Sequence, residues 1–350
     1  MNVLFYVGYQ ANPLSPSSNQ GIGGTEVALR TLAKEMTAFG YKVVVSGNVE
    51  DLGLVDGVEW ISTERVHQKY FNQFDVIVSA SYIHFMVEFE NYTNAKKIFW
   101  AHNTHHHPWF RGEVLSNADE LARQVDLTVC LTNWHANVWV NQYGVDPSKI
   151  RVIGNGIKTS TFLGQPLKNK GQFIWSSAPE RGLSDLLVHW PEIKKALSQA
   201  SLKIYFPDYA KDQVESLMPI ISALDNVEVM GTVDQETLHN AMLKSDYWCY
   251  MTDYEETYCI TALEMQYANV LPITTMKAAL AETVHGGIIL PDNSETNWKK
   301  AIQSLKSLGS ELKEKALDFN YNWAKRQTWT QRSYDWKNIF EEVTNDTTKI

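Results

Sequence analysis

Short apolar runs alternate with helix-patterned stretches along almost the whole chain, and this alternation most limits what the chain can become. Residues 2–8 form a continuous apolar run ending in glycine, the pattern of a strand buried on both faces. Runs at 41–46, 58–61, 75–79, 96–100, 126–132 and 149–153 repeat it, and helical patterns fall between them. The alternation restarts after residue 170, with runs at 172–175, 202–206, 227–230, 246–251, 271–274 and 286–290. Alternation of this kind builds parallel sheets flanked by helices, an α/β fold. A chain of 350 residues is long for one core and comfortable for two. The tail, about 294–345, is helical and carries Trp298, Trp323, Trp329 and Trp336.

The richest stretch is DYEETYCITALEMQYANVLPITT, residues 253–275. It reads as loop, helix, turn and strand, with Asn269 ending the helix. Asn is the next residue after Gly for the positive φ that a helix end requires. Glu256 points from the loop at the helix N-terminus, Glu264 sits over a turn inside the helix, and the free N–H groups of 258–261 lie between. Helix N-terminal amides attract anions, phosphates above all. Carboxylates suit the hydroxyls of a sugar or a ribose. The unit fits a sugar joined to a nucleotide through a diphosphate. Spacing alone fits two solvated surface charges as well.

Other loops at strand ends carry polar chemistry. Gly23 and Gly24 stand before a helical run, where the missing Cβ lets backbone approach a phosphate, or where a plain tight turn sits. Glu26 reads as an ordinary first-turn acid in preference to an acceptor contact. The run ending at Trp100 leads into His102, His105, His106 and His107. Their spacing matches no helix-borne ligand pair, and no cysteine or nearby carboxylate completes a metal shell. Histidines at the carboxyl end of a parallel strand are substrate contacts more often than ligands. Spacing alone does not choose among the four. Arg181 precedes a helix, where a guanidinium binds phosphate oxygens or is one more surface charge.

Charge and cysteines narrow the class further. A net charge of −9 makes a non-specific nucleic-acid binder unfavourable. Cys130, Cys249 and Cys259 have no metal-ligand spacing, and an odd count gives no disulfide framework, so a reducing, cytoplasmic setting is expected. The N-terminus reads as a strand and not as a signal peptide. No apolar run approaches a membrane span of ~20 residues.

ETYCITALE, with the helix, turn and proline-containing strand after it, resembles the E-x7-E region of retaining GT-B glycosyltransferases. It is most similar to the large sucrose-synthase and mannosyltransferase-like family (glycosyltransferase family 4-like, group 1). The glycine pair, the histidine loop, an Asn-Gly turn at 154–157 and the Arg-Gly pair at 181–182 follow in the family's order. The resemblance implies two Rossmann-like domains facing across a cleft: 1–155 on the acceptor side, 156–328 for the nucleotide sugar, and 329–350 as a helix returning to the first domain. The tail tryptophans would fill that seam. It implies transfer of a sugar from a nucleotide-diphosphate donor to an acceptor hydroxyl, by front-face attack and with no cofactor or obligatory metal. The family has a histidine nearest the sugar in the matching loop; His102 is the best match to it, and His105, His106 and His107 read as loop surface. His102, Glu256 and Arg181 would be catalytic. Gly23, Gly24, Ser177, Tyr258, Cys259, Ile260, Thr261 and Glu264 would bind the donor. The family's first loop cation is replaced here by Ser176-Ser177. Expected partners are a nucleotide sugar and an acceptor glycan, lipid or protein, with peripheral membrane contact open. A non-hydrolysing sugar-nucleotide epimerase and a catalytically silent sugar-nucleotide-binding protein share the pocket and stay open.

Overall fold

The computed structural model describes residues 1–8, 14–16, 23–49, 53–106, 109–110, 113–114 and 116–345. They form two units. One takes the described residues up to 156 and again from 329, and the other takes 157–328. The expected crossings lay after 155 and after 328.

The first unit is built on an eight-stranded sheet. Its strands lie in the order Ile150–Val152, Leu127–Cys130, Lys96–Trp100, Val76–Ala80, Asn2–Tyr6, Lys42–Gly47, Val58–Ser62 and Gly53–Val55. All neighbours are parallel except the last pair. Val3, Leu4, Val43, Val44, Val76, Ile77, Ile98 and Phe99 are fully buried, as strands covered on both faces require. The antiparallel strand was not expected. It pairs through a two-residue turn at Asp56 and Gly57, both at positive φ (52° and 81°). Asp-Gly is the usual signal for such a turn, so the cue was in the sequence.

The helix Trp329–Asn345 belongs to this unit and buries Trp336, Ile339, Phe340 and Val343. Trp336 meets Trp100 edge-on at 4.8 Å, and Phe340 lies 6.5 Å from Phe5. A Cβ on Gly156 would come within 2.5 Å of the Trp329 backbone nitrogen, so the crossing tolerates only glycine. Not all the tail tryptophans serve this seam. Trp298 stacks on His189 and Trp323 packs on His285, both inside the second unit. Their helices, Glu295–Ser307 and Ser310–Ala324, precede the crossing.

The second unit has six parallel strands in the order Val227–Gly231, Ser201–Tyr205, Gln172–Ser176, Tyr247–Tyr250, Leu271–Thr275 and Ile288–Leu290. In chain order that is 3-2-1-4-5-6, the doubly wound arrangement. Chain direction across the sheet reverses between the first strand, Gln172–Ser176, and the fourth, Tyr247–Tyr250. Loops leaving neighbouring strands at such a point diverge, and the crevice left at their carboxyl ends is where ligands bind. The core beneath is large and aromatic: Phe173, Trp175, Trp190, Trp248 and Tyr250 are all essentially inaccessible. Among the described residues no helix is long and apolar enough to cross a membrane.

Candidate functional site

The loop after Gln172–Ser176 carries Ser177 and a short 3-10 turn, Pro179–Arg181, then Gly182 and the helix Leu183–Ala196. Trp175 Nε1 donates to the Ser177 carbonyl at 2.7 Å, which ties the loop to the strand it leaves. Gly182 has φ +115°, and a Cβ there would stand 3.1 Å from the Met251 carbonyl oxygen. Both the backbone angle and the close approach demand glycine. The result brings Arg181 against the loop that follows Tyr247–Tyr250.

That second loop is pinned from beneath. Thr274 Oγ1 donates to the Tyr250 carbonyl and Thr275 Oγ1 to the Thr252 carbonyl, at 2.8 and 2.7 Å. The Thr252 hydroxyl accepts from the Tyr254 N–H at 2.9 Å. The Ala279 N–H donates to the Glu256 carbonyl at 3.1 Å. Glu256 is 5% exposed, and its Oε1 accepts from Arg181 Nη1 at 2.9 Å and from the Tyr250 hydroxyl at 2.6 Å. Arg181 also lies over the Tyr254 ring, 4.6 Å from its centre. Its buried Nε has no hydrogen-bond partner among the described residues. The guanidinium is therefore anchored on one edge and keeps a donor on the other.

These contacts set the charges. Burial, the largest single effect, acts to lower the Arg181 pKa, but the Glu256 carboxylate together with Tyr250, Tyr254 and Cys259 outweighs it and holds the group above its ordinary value. Burial first, and Glu256 second, push the Tyr250 hydroxyl well above its usual range. The same two causes raise the Cys259 thiol well above its usual range. Cys259 is thus a thiol at neutral pH and no nucleophile.

Cys259 precedes the helix Ile260–Tyr267 with φ +64°, a left-handed conformation unexpected for cysteine. A left-handed residue followed by helical ones turns successive N–H groups to one side, an anion-binding concavity. The first N–H groups of the helix, Ile260 and Thr261 among them, have no acceptor within it. Asn269, beyond the helix, takes φ +54° as its amide side chain permits. Glu264 lies in the same helix, and its Oε1 is 3.1 Å from His239 Nε2. Tyr258 and Cys259 are buried.

The other expected site residues lie in the first unit. Gly23 precedes the helix Gly24–Thr37, and Glu26 curls back over it: Glu26 Oε2 occupies the space a Cβ on Gly23 would need. Burial raises the Glu26 pKa, and Tyr82 is pushed up to about 12 by burial and by Glu26. Glu26 is thus a first-turn acid. His102 follows Lys96–Trp100, is 7% exposed and packs on Trp100 at 4.5 Å. Of its neighbours, His105 is exposed, and His107 lies outside the described residues. His106 is not loop surface: it is buried, 2.7 Å from Asp119 and packed on Tyr143. An aromatic wall from the helix Asn133–Tyr143 shelters it. Among the described residues no group of His, Cys, Asp or Glu is arranged to hold a metal.

The structure therefore brings Ser177, Arg181, Glu256, Tyr258, Cys259, Ile260, Thr261 and Glu264 to the strand ends of one unit, and keeps Gly23, Gly24 and His102 in the other. Tyr250, Tyr254 and His239 were not singled out in the sequence. Tyr250 ends an apolar strand and looks like core, and only its hydroxyl reveals it.

His102 and His135 make acid sensitivity testable. Burial, and for His102 the nearby His135, lowers His102 to about 3; burial lowers His135 to about 4. An unfolded chain takes up these protons near pH 6.5 and the folded one does not, so stability is full above that pH and lost as pH falls. Each histidine should cost about 2.5 kcal/mol by pH 4.5. Urea unfolding across this range should show it, and His102→Gln should remove about half of the slope.

Comparison with known proteins follows the same division. The profile of Glycosyltransferase Family 4 matches residues 59–161, and that of Glycosyl transferases group 1 matches 169–326. A phosphatidylinositol N-acetylglucosaminyltransferase chain of Arabidopsis thaliana is 21% identical over 221 residues, 60% of this chain. The match spans about half of that relative, 49%. A glycosyltransferase from Rickettsia africae superposes with a TM-score of 0.75 at 16% identity, over 99% of both chains. Anabaena Alr3699/HepE, solved with UDP-glucose, gives 0.75 at 13% identity, over 98% of this chain and 100% of that one.

Proposed function

The chain belongs to the group 1 glycosyltransferases, and on that premise we propose that it moves a sugar from a nucleoside-diphosphate donor to an acceptor hydroxyl with retention at the anomeric carbon. The single observation that carries the reading is Arg181: a guanidinium fixed on one edge by Glu256, with a buried Nε that has no partner among the described residues. It shares the strand-end crevice with the amides that open the helix Ile260–Tyr267.

The barrier lies in breaking the anomeric C–O bond. Positive charge grows on the sugar ring, and negative charge on the departing diphosphate. Arg181 and the amides of Cys259, Ile260 and Thr261 take up that negative charge from positions fixed in advance, where one such donor is worth about 3–4 kcal/mol. Ser177, in place of a second cation, offers only a hydroxyl and backbone. Glu256, with both these hydrogen bonds on Oε1, turns Oε2 to hydroxyls of the donor sugar. Glu264 accepts from the ribose diol. In the first unit, Gly23 and Gly24 bring backbone close to substrate oxygens. His102, neutral above about pH 3, pairs with a substrate hydroxyl without adding charge. Among the described residues, Cys259, close to Glu256, is held as a thiol and offers no activated nucleophile there. That supports front-face attack, with the leaving phosphate taking the acceptor's proton. The cation and amides supply the charge stabilisation, so no metal is obligatory. The three cysteines are free and buried, which fits a reducing cytoplasm.

The test is to incubate the protein with a panel of nucleoside-diphosphate sugars, with and without acceptor alcohols and in the presence of EDTA. Nucleoside diphosphate should be released, and NMR should show the donor's anomeric configuration in the first-formed product. An inverted first product removes the retaining mechanism, and an epimerised free sugar nucleotide replaces transfer by epimerisation. Loss of turnover in EDTA removes the metal-free reading. Within the same site, Glu264→Ala should weaken nucleoside-diphosphate binding about ten- to hundredfold, from lost charged hydrogen bonds, and leave kcat within a few-fold. Calorimetry and saturation kinetics check this.

A further inference from the structure

Glu264 is held by a histidine from another element, and the hydrogen bonds around that histidine specify its charge. His239 lies in the helix Gln235–Lys244 and is 1% exposed. Its Nε2 is 3.1 Å from Glu264 Oε1, and its Nδ1 is 2.8 Å from Thr161 Oγ1. The Thr161 hydroxyl also lies 2.7 Å from the Lys158 carbonyl oxygen.

A carbonyl oxygen only accepts, and a hydroxyl has one proton to give. At 2.7 Å the two oxygens repel unless that proton lies between them, so it points at Lys158. Thr161 Oγ1 is then left to accept, and Nδ1 must carry a hydrogen. On the other side the carboxylate also accepts, so Nε2 must carry one too. Both nitrogens donate only in the imidazolium. A separate contact points the same way. The Phe162 ring lies flat on the imidazole, with centres 3.9 Å and planes 12° apart. A cation gains from an aromatic face in that position.

We propose that His239 is a protonated positioning residue that fixes Glu264 toward a ribose-type diol, so that nucleotide binding weakens as pH rises. The proposal rests on the reading of Glu264 given above. Among the described residues, the elements packed most extensively on the helix of His239 are the site helix, the turn Thr159–Thr161 and the strand Gln172–Ser176. The site helix presents Glu264 and Tyr267. The 3-10 turn Thr159–Thr161 has Lys158 beside it. The strand Gln172–Ser176 has no titratable side chain. Glu236 and Lys244 share the helix of His239. Of these, Glu264 is the ion-pair partner. With the ring neutral and Nδ1–H still on Thr161, a lone pair would face the carboxylate and drive Glu264 from its place. Binding is therefore strongest at low pH and is lost as the imidazolium deprotonates.

The direct test is long-range 1H–15N NMR on the free, wild-type protein at pH 7. Both ring nitrogens of His239 should show the shifts of an imidazolium. In parallel, affinities for UDP, GDP and ADP are measured by calorimetry at about pH 6 and pH 9. For whichever binds, wild-type affinity should fall about tenfold toward high pH, the loss of one charge-assisted hydrogen bond. His239→Gln keeps a neutral donor to Glu264 and should flatten the profile. Thr161→Val removes the oxygen that demands Nδ1–H, so its ring should show the neutral Nε2–H form by NMR at pH 7. A neutral imidazole in the wild type at pH 7 overturns the proposal. A wild-type pH slope surviving in His239→Gln also overturns it. If Glu264→Ala leaves affinity unchanged while the NMR shows an imidazolium, the ribose reading falls and the charge assignment stands.

Discussion

Arg181→Ala should lower kcat by about 10²–10³ with a much smaller change in KM, the loss expected when one fixed donor to a developing anion is removed. The side chain is partly exposed, and one of its donors is already spent on Glu256. Its buried Nε meets no partner among the described residues, and on the proposed mechanism the value of that donor would be realised only as the leaving diphosphate gains charge. Arg181→Lys should recover little. An ammonium is a point charge on a flexible stem and does not hold Glu256 with one edge while presenting another to phosphate. Saturation kinetics with a circular dichroism control for folding checks both variants. Turnover within threefold of wild type for Arg181→Ala would place leaving-group stabilisation elsewhere.

Glu256→Ala should depress turnover by at least about a hundredfold and also destabilise the unit that carries it. The Tyr250 hydroxyl and Arg181 both lose their acceptor, and a buried donor left unpaired costs about 1–3 kcal/mol. The two effects separate in Glu256→Gln. An amide oxygen still accepts from Tyr250 and Arg181 at the Oε1 position, so thermal stability should return close to wild type. Its NH2 cannot accept from a sugar hydroxyl as Oε2 would on the proposed mechanism, so turnover should stay low. Full turnover in Glu256→Gln would show that Glu256 only braces the arginine.

The periodic part of the structure was legible. Parallel strands buried on both faces announce themselves as unbroken apolar runs, and the loop, helix, turn and strand of 253–275 follow from pattern and from Asn269. The Asp56-Gly57 hairpin also carries its cue locally, in the Asp-Gly pair. What the sequence did not show is set by packing between distant elements. Nothing local to Tyr250 says that its hydroxyl reaches Glu256, six residues on, across a turn built by Thr252 and Tyr254. His239 looks like one more polar residue on an amphipathic helix. Its partners lie 25 and 78 positions away and meet only once the sheet has formed. Cysteine at a left-handed position is disfavoured by its own backbone, so no propensity argument would have put Cys259 there. His106 looked exposed because a run of histidines is polar, yet Trp139 and Tyr143 bury it.

The return of Trp329–Asn345 to the first unit bears on how a ribosome must deliver this protein. Domains generally complete themselves as they emerge, N-terminal first. Here the first-made half waits: Trp100 and Phe5 meet Trp336 and Phe340 only after residues 157–328 have been made. The second-made unit, uninterrupted from 157 to 328 among the described residues, closes before it. A nascent chain stalled before residue 329 should therefore hold a finished second unit and an unsealed first unit with bare aromatic surface, the form most in need of a chaperone.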